Sequence, residues 1–159
     1  MVKMTELVSK GAIVPSLVAT DRDGVIAELV DALIAGGAAP AGIRAELLKR
    51  VLEREKRGST GFGKGVAVPH VKHPSAGRIC AAIGLSQRGI DFNSLDKQPV
   101  YSVFLLLSPE DQPEPHLHAM ETIFKNLSKD TFRRFLRQAT TTDEVWTLLE
   151  EADGHTIAG

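Results

Sequence analysis

Histidine is the side chain best suited to exchange a group near neutral pH, and one of the five in this 159-residue chain stands in unusual company. The run Arg54-Glu55-Lys56-Arg57-Gly58-Ser59-Thr60-Gly61-Phe62-Gly63-Lys64-Gly65-Val66-Ala67-Val68-Pro69-His70 leaves a helix end and crosses a glycine-rich loop with two hydroxyls. It then enters a short apolar segment that stops at Pro69-His70. The glycines are too closely spaced for a dinucleotide fingerprint, and no Lys-Ser or Lys-Thr pair follows them as in a Walker loop. Alone, such a run reads first as a tight turn. Its neighbours favour an anion site. Arg54 and Arg57 precede it, Ser59, Thr60 and the Gly61 amide lie within it, and His70 follows. Amides, hydroxyls, a guanidinium and an imidazole are the groups needed to hold and carry a phosphoryl group.

The other histidines are His73, His116, His118 and His155. His70 and His73 flank a predicted turn, and His155 falls in the tail. His116 and His118 open a helix with an apolar stripe of Leu117, Met120, Ile123, Phe124 and Leu127. At about 100° per residue, His116 lies within roughly 45° of the stripe centre and His118 about 155° away. His116 should therefore face the sheet and His118 water. An inward histidine is also read simply as a satisfied core residue. His70, His73 and His116 could together ligate zinc. No Cys, Asp or Glu stands beside them in a ligand pattern and Cys80 is isolated, so no metal is expected.

These groups need elements to position them. Ile13, Val14, Leu17 and Val18 suggest an edge strand broken at Pro15. Thr20-Asp21 caps a helix through Val25, Leu29 and Leu33 that ends at Gly36-Gly37. Pro40 opens a second helix, through Leu47, Val51 and Leu52, stopped by Gly58. Residues 65–68, 78–86 and 100–107 read as buried strands, the last being the richest in Val, Phe and Leu. Residues 108–115 read as a loop. Three helices follow, the second capped by Ser128 and the third opened by a Thr141/Glu144 capping box. Strands apolar on both faces call for helices on both sides of the sheet. The prediction is one α/β (α+β) domain over residues 1–159, with a loose tail at 153–159.

The rest of the composition narrows the class. The net charge is −1, so nucleic acid and anionic membranes have no general electrostatic claim. Arg133, Arg134 and Arg137, at helical spacing, read as a solvated helix face. The single cysteine sits in an apolar run and reads as a buried thiol in a reducing compartment. With no segment long enough to span a bilayer and no signal-peptide core, a cytoplasmic protein is expected.

The 54–70 run resembles the signature of the enzyme IIA domains of the fructose/mannitol class (type 2) in the phosphoenolpyruvate-dependent phosphotransferase system. It is most similar to their nitrogen-regulatory branch. Supporting blocks are Asp91-Phe92-Asn93-x-Leu95-Asp96-x-Gln98-Pro99-Val100, Leu105-Leu106-Leu107, His116-Leu117-His118-x-Met120 and Thr142-Asp143-Glu144-Val145. The resemblance covers about residues 13–152.

The resemblance implies a mixed sheet flanked by helices. It implies that His70 accepts a phosphoryl group from an HPr-like phosphocarrier, with His116 as second active-site histidine and Arg54 as active-site arginine. Ser59, Thr60 and Gly61 would then bind phosphate, and Phe62 and Val71 are candidates to face a partner. No cofactor is implied. The role this resemblance implies is regulatory (nitrogen-type); a sugar-specific subunit passing phosphate to a IIB domain for fructose/mannitol-type uptake is the alternative. A phosphorylation-independent module that binds a transporter or kinase is a third. One residue departs from the pattern: Val71 follows the histidine where the family has a small residue, most often glycine. A positive φ at that position would make valine costly.

Overall fold

Side chains alternate between the two faces of a strand, and the apolar run near residue 104 serves two cores in this way. Val103, Leu105 and Leu107 enter one cluster, while Phe104 and Leu106 enter the other. The computed structural model describes residues 2–158, with side chains described as far as residue 154. In chain order its elements are α1 (Met4–Leu7), β1 (Val8–Val14), α2 (Arg22–Ala35), a 3-10 turn (Ala41–Ile43) and α3 (Arg44–Arg57). Then come β2 (Gly61–Gly63), β3 (Val66–Ala67), β4 (His70–His73), β5 (Cys80–Ile90) and β6 (Val100–Pro109). Helices α4 (Pro113–Leu127), α5 (Asp130–Gln138) and α6 (Thr142–Ala158) complete the chain.

The six strands form one mixed sheet in the order β1-β5-β6-β3-β2, with β4 also paired to β6. β6 is antiparallel to β5 and parallel to both β3 and β4. Helices α2 and α3 cover one face through Val25, Leu29, Leu33, Leu47 and Val51. Helices α1, α4, α5 and α6 cover the other through Met4, Ile123, Leu136 and Leu149. The expected α/β architecture, with helices on both faces, is the one observed. Among the described residues no helix is long and apolar enough to cross a membrane.

Several local signals act as their chemistry dictates. Asp21 caps α2 by accepting from Gly24 N at 2.7 Å. Thr141 Oγ1 accepts from Glu144 N at 3.1 Å, forming the capping side of the predicted box. β1 ends at Val14, just before Pro15. Cys80 is buried, and burial pushes its thiol up to about 11, which leaves it inert near neutral pH.

Other expectations need correction. The loop predicted at 108–115 is shorter: Ser108 and Pro109 belong to β6, and α4 starts at Pro113. The cap of α5 is Lys129, not Ser128, whose hydroxyl donates to the Lys125 carbonyl. The loose tail does not begin at Asp153. That residue is buried within α6 and accepts from Met4 N, Thr5 N and Thr5 Oγ1 at 2.7, 3.1 and 2.6 Å. The side chain of His155 lies outside the described residues. Nor are the α5 arginines simply solvated. Arg133 donates to the Leu127 carbonyl at 2.7 Å, and Arg137 stacks 3.5 Å from the centre of the Tyr101 ring.

His70 and His73 do not flank a turn; they are the two ends of β4. Pro69 has no N–H to give the ladder, so the edge beside β6 is split into β3 and β4 around it. The Pro69 carbonyl still accepts from Leu106 N at 3.0 Å. Val71 therefore has an ordinary strand conformation and is absent from the residues with positive φ. Its side chain is 7% exposed and packs in the α2/α3 core, on the sheet face opposite His70. It cannot face a partner, and its bulk does not lie beside the histidine. Val71→Ala is expected to cost about 2 kcal/mol, readable in denaturant unfolding, by removing buried methyl groups. The geometry around His70, and any rate measured there, should stay unchanged.

Candidate functional site

The strand period sorts the two histidines of β4. His70 pairs in register with Leu106, and Lys72 with Ser108. These four residues share the face covered by α4, whereas Val71 and His73 point to α3. His73 is 2% exposed; its Nδ1 accepts from Ser75 N at 2.9 Å and its Nε2 lies 3.1 Å from Glu46 Oε2. It ties the end of β4 to α3 and to the turn that follows. The sheet lies between it and the other pair, so His70, His73 and His116 do not converge as a zinc site.

His70 is half-buried, and its Nδ1 lies 3.1 Å from the Val68 carbonyl. A carbonyl only accepts, so Nδ1 carries the proton of the neutral ring and Nε2 keeps its lone pair. The ring of His116 packs edge-on to it, with centroids 5.9 Å apart and planes at 60°. His116 reaches this place from the first turns of α4. It lies on the line of Ala119, Ile123 and Leu127, which are buried against the sheet, while His118 is exposed as expected. The helix is rotated from the predicted stripe, however. Leu117 and Phe124 are 57% and 36% exposed, and Ala119 takes the buried position.

His116 Nδ1 lies 2.6 Å from Ser108 Oγ. Burial first, then the positive charge of Lys72 and of a protonated His70, lower the pKa of His116 below 6.5. The fold thus favours the neutral ring. Its contribution to stability is present above pH 6.5 and is lost as the pH falls through the depressed folded value. Proton NMR titration should place the His116 midpoint below 6.5, and Lys72→Ala should raise it. A midpoint above 6.5 would contradict the observed surroundings.

The loop before His70 is held from within. Glu55 is 3% exposed at the end of α3, and its carboxylate accepts from both Thr60 Oγ1 and Thr60 N. Ser59 Oγ donates to the Phe92 carbonyl and accepts from Gly61 N at 3.0 Å. The polar groups of Ser59, Thr60 and Gly61 expected to meet phosphate are thus engaged in shaping the loop. Gly61 is required by close approach: a Cβ there would run into Ser94 Oγ. Residues 61–67 form a hairpin turning at Lys64-Gly65, where φ is 60° and 78°. Phe62 is half-buried with its ring 4.8 Å from that of Phe124.

Arg54 donates to the Gly58 carbonyl at 2.7 Å, which stations its guanidinium at the head of the loop rather than on either histidine. The structure thus brings His70 and His116 together directly, and Arg54 to the start of the loop that follows α3. Sequence reasoning passed over three residues. Glu55 was visible, because it falls four and eight residues after Val51 and Leu47 on the inward face of α3. Lys72 was hidden because nothing local to His70 announces the strand that sets it on the same face. Ser108 was hidden by the assignment of its position to a loop.

A helix-flanked mixed sheet with two histidines meeting at one face defines the class: an α/β domain presenting a paired-histidine site. The chain belongs to the family described as "Phosphoenolpyruvate-dependent sugar phosphotransferase system, EIIA 2", whose model matches residues 6–152. It is 36% identical over 147 residues to the nitrogen regulatory protein of Bradyrhizobium diazoefficiens, covering 92% of this chain and 94% of that one. It is 32% identical over 151 residues to the fructose-specific EIIABC component of Bacillus subtilis, covering 95% of this chain but 24% of that longer protein. Among solved structures it resembles the nitrogen regulatory protein IIA-Ntr of Neisseria meningitidis, with a TM-score of 0.81, 26% identity and coverage of 91% and 97%.

Proposed function

We propose that this chain is a cytoplasmic regulatory phosphocarrier in which His70 accepts a phosphoryl group from the phosphohistidine of an HPr-like carrier. The observation that carries this reading is the pinned His70 ring. With Nδ1–H on the Val68 carbonyl, Nε2 offers its lone pair outward for in-line attack. The donor N–P bond breaks as the Nε2–P bond forms, and the donor imidazole leaves with its electron pair. Little covalent work remains for the protein, so positioning and charge dominate. Arg54 supplies positive charge at the head of the loop. His116, neutral near pH 7, offers a ring N–H to the phosphoryl oxygens. Ser59, Thr60 and Gly61 act by shaping the loop. No metal or organic cofactor takes part.

A protein partner suits the surroundings. Leu117 and Phe124 are exposed on the helix that carries His116, and Phe62 packs beside Phe124. The regulatory branch is favoured by the match to the Bradyrhizobium protein over nearly the full length of both chains. Similarity to the fructose EIIABC component supports a second reading, in which the acceptor is a IIB domain. Incubation with phosphoenolpyruvate, enzyme I and an HPr-like carrier should produce an acid-labile, base-stable phosphoryl label. A chain that stays unlabelled under conditions that label a control enzyme IIA overturns the proposal. Transfer onward to a purified IIB domain would favour the second reading.

A further inference from the structure

The hydroxyl of Ser108 is completely buried at the end of β6, and among the described residues its one hydrogen-bond partner is His116 Nδ1, at 2.6 Å. That contact can be made in two ways. If Nδ1–H donates to Oγ, the serine proton is left in a dry environment with nothing to receive it. If the serine O–H donates to Nδ1, both atoms are satisfied. An unsatisfied buried polar group is costly, so the second arrangement prevails. It fixes the neutral ring as the tautomer with its proton on Nε2.

We infer that Ser108 is a positioning residue that holds His116 as an Nε2–H donor, the form able to hydrogen-bond a phosphoryl group on His70. The inference rests on the phosphocarrier reading of the site. Geometry supports it from two sides. Ser108 shares the sheet face of His70 and Lys72, because β4 and β6 pair in register at Lys72 and Ser108. The two imidazoles meet on that face, with ring centroids 5.9 Å apart, so a group carried on His70 lies within reach of the His116 ring. The opposite tautomer would aim a lone pair at the phosphoryl oxygens and repel them. The charged groups facing His116 are His70 and Lys72 on β4, and both disfavour its protonation, as burial does. In its neutral form the ring can accept the hydrogen bond of the serine O–H at Nδ1.

The test combines tautomer and rate. Nitrogen-15 NMR of the unphosphorylated protein should show His116 with a pyridine-like Nδ1 and a protonated Nε2. Ser108→Ala should shift these resonances toward a mixture while leaving those of His70 in place. With phosphoenolpyruvate, enzyme I and an HPr-like carrier, Ser108→Ala should slow labelling about tenfold, the scale of one lost oriented hydrogen bond. In a His116→Ala background the same substitution should have no further effect, because the serine acts through the imidazole. A protonated Nδ1 in the wild type, an unchanged labelling rate in Ser108→Ala, or an equal loss in both backgrounds would each overturn the inference. If the wild type itself takes no label, the phosphocarrier reading fails first. The nitrogen-15 spectra then still decide whether Ser108 sets the tautomer.

Discussion

His70→Ala is expected to abolish labelling by phosphoenolpyruvate, enzyme I and an HPr-like carrier, with a fall in rate of at least about 10³-fold. The size follows from the role: the nucleophile is removed, and His116 cannot replace it. The Nδ1 of His116 is occupied by Ser108, and burial with the charge of Lys72 keeps its ring neutral but set back on α4. The variant should fold normally. His70 is half-buried, and its side-chain hydrogen bond is the one from Nδ1 to the Val68 carbonyl. Circular dichroism and thermal unfolding would verify that. The His116 midpoint should also rise slightly in this variant, because one of the charges that depress it is gone. Retention of labelling in His70→Ala would move the reaction to another residue.

The second large effect falls on a residue that touches neither histidine. Glu55→Ala should destabilise the protein by about 2–4 kcal/mol, since it leaves the amide and hydroxyl of buried Thr60 without their acceptor. Glu55→Gln keeps one acceptor oxygen and should cost about 1 kcal/mol. Both figures are read from urea unfolding. Labelling should fall too in Glu55→Ala, even at temperatures where it remains folded. The loop from Gly58 to Gly61 then loses the anchor that holds Arg54 and the approach to β4 in place. A stable, fully active Glu55→Ala protein would mean that the loop is shaped by Ser59 and Phe92 alone.

Much of this was legible from residue types. The start of α2 is announced by Asp21, that of α6 by Thr141 and Glu144, and the strands β5 and β6 by their apolar runs. The inward placement of His116 followed from the period of a helix. What was not legible depends on partners remote in the chain. β4 is a strand because Leu106 to Pro109 lie beside it, and nothing local to His70 says so. Asp153 is ordered because Met4 and Thr5, at the other end of the sequence, donate to it. Ser59 and Thr60 have the chemistry of phosphate ligands, yet their partners are Phe92, Gly61 and Glu55. Residue type states what a side chain can do, while packing decides which of its partners comes first.

Val71 illustrates the same point in the opposite direction. A β-branched residue after the histidine looked like a departure that would reshape the site. In a strand its φ is ordinary and its side chain leaves through the other face of the sheet.

The central claim is that His70 carries the phosphoryl group on Nε2. The most direct measurement is nitrogen-15 and phosphorus-31 NMR of the wild-type protein after incubation with phosphoenolpyruvate, enzyme I and the organism's own HPr-like carrier. The geometry predicts one phosphoryl group per chain, with a phosphorus–nitrogen coupling to Nε2 of His70 and Nδ1 still protonated. A phosphoryl group on Nδ1 of His70, on His116 or on any other residue would contradict it, as would a chain that takes none.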